Sequence, residues 1–211
     1  MKQHRDLELE RSIGSYFKSF LSLVRQIDVA AVARVVNRLD AARRRGSTIY
    51  VAGNGGSAAT ASHWVNDLGK ATKNSDHEPM RVMSLSDNVS WVTALANDEG
   101  YERVFSGQLE NFARSGDVLI VISASGNSPN LLRAVELAQR RELETIALVG
   151  FDGGALKGMV DDHIWLPTPK GAYGLVESAH GMLCHAVTLC LAELPRVEQL
   201  TGTDNLPAES L

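Results

Sequence analysis

From Asp6 to about Arg45 the apolar residues recur at helical spacing: Leu7, Leu9, Ile13, Phe17, Phe20, Leu21, Val24 and Ile27, then Val29, Val32, Val35, Val36 and Leu39. This pattern predicts one or two long amphipathic helices. From Thr48 the pattern changes. Short, dense apolar runs at residues 48–52, 80–84, 118–123, 145–149 and 163–166 predict buried strands. Helical stretches at 57–70, 101–112, 129–141 and 175–194, with a short one near 89–96, lie between or after them. Alternation of this kind predicts an α/β fold, a doubly wound five-stranded parallel sheet with added N-terminal helices. The expected division is a helical region at 1–46 that packs on the rest and on partner subunits, an α/β domain at 47–195, and a frayed tail at 196–211.

Two loops carry the chemistry. Gly53-Asn54-Gly55-Gly56-Ser57 follows the first strand, and Ser123-Ala124-Ser125-Gly126-Asn127-Ser128 follows the third. Each leads into a helix, the second through Pro129, which a first helical turn tolerates. Glycines let backbone N–H groups converge on a ligand, the helix N-terminus favours negative charge, and serine hydroxyls add neutral donors. Two such loops in one domain point to a single phosphorylated ligand in the crevice outside the strand ends. No G-x-G-x-x-G or Gly-Lys-Ser/Thr motif occurs, so no nucleotide cofactor is expected. Neutral donors suit a reversibly bound sugar phosphate better than a triphosphate.

Composition narrows the partners. A net charge of −4 without a basic stripe argues against nucleic acid. The cluster Arg43-Arg44-Arg45, with Arg38 upstream, reads as a complement to a helix C-terminus. Cys184 and Cys190 fall in one predicted helix and cannot pair, which suits a reducing compartment. The charged N-terminus has no apolar leader core, and no stretch suggests a membrane span. A soluble, cytoplasmic protein is expected.

His63 and Asp67 lie at i,i+4 on the helix after the first loop. The last helix carries Glu177, His180 and His185. Glu177 and His185 are eight residues apart, about 12 Å along a helix axis. Either Glu177 precedes the helix proper, or the two serve sites completed by different subunits. His180 reads as a structural histidine. Together His63, Asp67, Glu177 and His185 suit a divalent metal or acid–base work on a sugar, and spacing alone does not decide between these.

The chain resembles the sugar isomerase (SIS) domain proteins, and within them the phosphoheptose isomerases. The resemblance runs from about Leu21 to Leu194. It rests on Gly53–Ser57 with His63 six residues on, Ser84-Leu85-Ser86-Asp87, Asn97-Asp98 before Gly100-Tyr101, Gly116–Leu119, Ser123–Ser128, Asp152-Gly153-Gly154 and the histidines of the last helix. It implies a flavodoxin-like SIS fold and an active site shared between subunits of a homotetramer. It also implies phosphate held by Ser57, Ser123, Ser125 and Ser128 with the loop residues Gly55 and Asn127, and sugar contacts at Asn54 and Asp98. The family's catalytic glutamate and histidine fall on Asp67 and His185. Some members bind zinc, and their ligands fall on His63, Asp67, Glu177 and His185. Three positions depart: Asp67 is a shorter carboxylate, Glu177 replaces a neutral amide, and Gly174 stands where an aspartate is usual.

These features predict an aldose–ketose isomerase. Its substrate would be a phosphorylated sugar, sedoheptulose 7-phosphate converted to a heptose 7-phosphate through an enediol. Asp67 or Glu177 and His185 would act as base and acid, and one zinc or similar ion is a candidate cofactor. The rival is a non-catalytic SIS adaptor or sugar-phosphate sensor, against which the retained His63, His185 and two carboxylates speak.

Overall fold

The computed structural model describes residues 2–73 and 78–194; the tail expected to fray lies outside these. The N-terminal region forms two helices, α1 (Lys2–Val24) and α2 (Val29–Arg45). Asp28 starts the second, its carboxylate accepting from the N–H groups of Ala30 at 2.9 Å and Ala31 at 3.2 Å. Gly46 ends it in the left-handed conformation.

Five parallel strands follow: β1 (Thr48–Gly53), β2 (Arg81–Ser84), β3 (Val118–Ser123), β4 (Glu144–Val149) and β5 (Asp162–Trp165), in the order β2-β1-β3-β4-β5. Side chains alternate along each strand and build two cores. Ile49, Val51, Ile120, Ile122, Ile146 and Leu148 face one side. There they pack with Leu39 of α2, Trp64 of α3 (Gly56–Asn66) and Leu183 of α8 (Tyr173–Glu193). Tyr50, Ala52, Leu119, Val121, Ala147 and Val149 face the other. Their partners come from α4 (Val89–Asp98), α5 (Ser106–Phe112), α6 (Pro129–Arg140) and α7 (Leu156–Met159). Each fully buried Leu or Ile contributes about 1.5–3 kcal/mol.

Several boundaries differ from the sequence pattern. The helix after the first loop does not continue to Lys70: α3 stops at Asn66 and a π turn runs Asp67–Ala71. The expected helix from Tyr101 breaks into a 3-10 turn (Tyr101–Arg103) and α5, and α7 was not anticipated. β5 begins at Asp162 because that carboxylate is paired: Arg34 and Arg38 of α2 lie 3.3 Å and 3.4 Å from it. The basic end of α2 is also spent on carboxylates. Arg38 and Arg45 reach Glu144, and Arg43 and Arg44 bind Asp40. Contrary to the expectation from sequence, α8 is long and apolar enough to span a membrane by length and composition. Val176, Ala179, Leu183, Cys184, Val187 and Leu191 are buried along it, as in a core helix.

Candidate active site

From β1 the chain adds β2 on one side and then returns to add β3 on the other, so the strand order reverses between β1 and β3 and a crevice opens beyond their carboxyl ends. Both glycine-serine loops meet there. A cleft of about 170 Å³ is lined by Asn54, Ser57, Ser123, Ser125, Ser128, Tyr173 and Glu177, among others. Gly55 starts α3 at φ 54°, and the first-turn N–H groups of Ser57 and Ala58 bond to the carbonyls of Asn54 at 2.9 Å and Gly55 at 3.0 Å, which leaves the helix dipole and the Ser57 hydroxyl to favour an anion. Ser128 caps α6 without a side-chain capping bond, which leaves its hydroxyl free for a ligand. Ser123 Oγ accepts from the Gly126 N–H at 3.0 Å and Ser125 Oγ from the Asn127 N–H at 3.3 Å. Both hydroxyl protons therefore remain to be donated to an anion.

Neighbouring loops brace this cleft. Gly126 has φ 64°, and a Cβ there would lie 2.0 Å from the Gly153 carbonyl oxygen. Asn127 donates to the Ser125 carbonyl at 3.0 Å and accepts from the Ala155 N–H at 2.9 Å. Its amide is thus committed to joining two loops and does not line this cleft. Ser86 Oγ donates to the Gly53 carbonyl at 2.9 Å, and Asp87 accepts from Ser84 and Ser62. Asn54 and Asn130 exchange two amide bonds, at 3.0 Å and 2.8 Å, and the Tyr101 hydroxyl donates to Asn54 Oδ1 at 2.9 Å. This triad borders a wider cleft of about 630 Å³ that also contains Glu99, Gly100 and Glu102. Asp98 ends α4, takes a bond from Asn97 at 2.7 Å, and lines neither cleft.

The titratable residues fall into two places. Glu177 lies within α8, so it does not precede the helix, and its carboxylate sits over the head of α3; a Cβ on Gly56 would meet it at 2.6 Å. His63, Asp67 and His185 meet further along. The two histidine Nε2 atoms are 3.1 Å apart, and Asp67 Oδ2 lies 3.3 Å from His63 and 3.7 Å from His185. Within one chain, then, the expected four-residue convergence holds three of its members, and Glu177 belongs to the serine-lined cleft. Donors at the corners of a tetrahedron about 2.0–2.1 Å from zinc are about 3.4 Å apart, which these three separations bracket. Cys184 Sγ lies 3.8 Å from the same Asp67 oxygen; burial, and then the Asp67 charge, push its thiol up to about 12. His180 is fully buried with no partner for either ring nitrogen among the described residues, and burial lowers it to about 4.

A family model described as SIS domain matches residues 15–150. A phosphoheptose isomerase of Trichlorobacter lovleyi is 34% identical over 185 residues, covering 85% of this chain and 93% of its own. One from Chlorobaculum tepidum is 35% identical over 204 residues, covering 96% and 93%. The solved phosphoheptose isomerase of Neisseria gonorrhoeae aligns with a TM-score of 0.80 at 30% identity, covering 88% of this chain and all of that one. The chain belongs to the SIS domain family, among the phosphoheptose isomerases. The five-stranded parallel sheet is the SIS fold, and the chain is an isomerase.

Within this SIS site, sequence reasoning missed Asn130, Tyr173 and Cys184, the neighbour of Asp67. Asn130 left no signal, being one polar residue in a first helical turn. Tyr101 was visible beside Gly100 but without a role. Cys184 stands next to His185, but its spacing from Cys190 speaks only to redox compartment.

Proposed function

We propose that this chain interconverts sedoheptulose 7-phosphate and a heptose 7-phosphate through an enediol. The observation that carries the reading is the cleft at the β1/β3 reversal, where four serine hydroxyls, two helix N-termini and a carboxylate face one space. Ser57, Ser123, Ser125 and Ser128 hold the phosphate. A base takes the proton from the carbon beside the carbonyl, an acid delivers one to the carbonyl oxygen, and the return transfer occurs at the neighbouring carbon. Glu177 is the carboxylate nearest the phosphate, and His185 with Asp67 forms the second acid–base station, about 12 Å along α8.

That distance, together with the exposure of His63 and His185, supports sites completed by a second chain. The apolar face of α1 supports the same reading: Leu9, Ile13, Phe17 and Leu21 are exposed on the single chain. A homotetramer in the cytoplasm is the assembly this reading takes. His63, Asp67 and His185 suit a zinc-like ion, which when bound would polarise the sugar carbonyl as a Lewis acid.

The test is proton NMR of the purified protein with sedoheptulose 7-phosphate in D2O. The expected result is an aldose product carrying deuterium at C2, with no turnover of unphosphorylated sedoheptulose. Absence of both product and exchange overturns the reading. Glu177→Gln and Asp67→Asn tell the two carboxylates apart, since loss of the base costs about 10²–10⁴ in kcat.

A further inference from the structure

Asp67 Oδ2 is a focal point for three other donor atoms. His63 Nε2 lies 3.3 Å from it, His185 Nε2 3.7 Å and Cys184 Sγ 3.8 Å. One donor atom each from His63, Asp67 and Cys184 lies within 4.8 Å of the other two. The carboxylate is held from behind, since Asn66 Nδ2 donates to Asp67 Oδ1 at 2.9 Å and leaves Oδ2 facing the cluster. The π turn that begins at Asp67 ends the regular course of α3 where its last residues pack on α8. Cys184 is fully buried and approaches from beneath, whereas the two imidazoles come from the exposed side.

We infer that Cys184 is a ligand of the metal held by His63, Asp67 and His185, supplying the donor that Glu177 does not supply within the chain. The inference rests on the metal reading above and adds a sulfur ligand to it. Tetrahedral donors mixing a Zn–S bond of about 2.3 Å with Zn–N and Zn–O bonds of about 2.0–2.2 Å stand about 3.5 Å apart. The separations of 3.3, 3.7 and 3.8 Å from Asp67 Oδ2 lie close to that value. One thiolate and one carboxylate neutralise a divalent charge, which favours an ion at a half-buried site. On binding, the S–H bond breaks, its electron pair forms the sulfur–metal bond and the proton leaves to solvent; no electron is transferred. A thiolate also biases the site toward zinc or cobalt and away from magnesium or manganese.

The experiment is titration of the full-length protein, stripped with a chelator, with Co2+ alone, followed by absorption. The expected spectrum shows a near-ultraviolet sulfur-to-cobalt charge-transfer band together with tetrahedral ligand-field bands. Cys184→Ser removes the charge-transfer band and keeps ligand-field absorption. Cys190→Ser, which changes the exposed cysteine, leaves the spectrum unchanged. Ligand-field bands without a sulfur band in the unmodified protein overturn the role of Cys184 and leave the metal reading standing. Failure to bind Co2+ at all overturns both. A sulfur band that follows Cys190 instead of Cys184 likewise overturns it.

Discussion

Asn54 donates one side-chain hydrogen bond to Asn130 and accepts two, from Asn130 and Tyr101. Asn130→Ala therefore leaves a half-buried amide partly unpaired beside the phosphate cleft. The expected cost is about 1–3 kcal/mol in urea unfolding, with a raised KM for the sugar phosphate. An unchanged KM would show that the pair is not felt at the cleft. His180 sets a pH dependence. Its folded value, about 4, lies below the usual histidine range because burial penalises the charged form. As pH falls from about 6.5 toward 4 the unfolded chain takes up a proton that the folded chain refuses, so stability is lost over that window. The loss is about 3 kcal/mol. His180→Leu should flatten that part of the curve, as read from urea midpoints at stepped pH.

At the scale of elements, two glycines separate backbone demand from side-chain crowding. Gly126→Ala forces a left-handed residue and drives a methyl into the Gly153 carbonyl. It should cost at least about 1–2 kcal/mol from the conformation alone, lower Tm and weaken phosphate binding together. Gly56→Ala meets the tip of the flexible Glu177 side chain instead. Its Tm should change little while kcat falls, and a large drop in Tm would contradict this placement of Glu177. Asp28 caps α2 through the N–H groups of Ala30 and Ala31. Asp28→Ala should cost about 1 kcal/mol by thermal unfolding. The π turn was not readable, because Asp67–Ala71 continues a helical pattern and the widened turn is seen only where α3 meets α8.

For the whole molecule, the exposed apolar face of α1 is the feature that a single chain leaves unexplained. Light scattering should give about four times the 22.8 kDa chain mass. Phe17→Ser with Ile13→Ser should lower that mass and reduce isomerase activity with it, if partner chains complete each site. A monomeric mass for the unmodified protein would break the shared-site reading.

The sequence alone determined the five strands to within a residue at each end and their parallel arrangement, because burial on both faces demands the unbroken apolar runs at Val51, Ile120 and Leu148; their order in the sheet came from the tertiary structure. The sequence also placed a glycine-serine loop directly after β1 and another after β3, the two loops that the fold brings to one cleft. Neighbours distant in sequence were decided by the tertiary structure alone. Asn130 meets Asn54 across 76 residues, Cys184 meets Asp67 across 117, and Glu177 is set over Gly56 and away from His185. Local periodicity places a side chain on a face of its own element. Which other element faces it depends on how the helices seat against the sheet, and that is settled by packing over the whole chain.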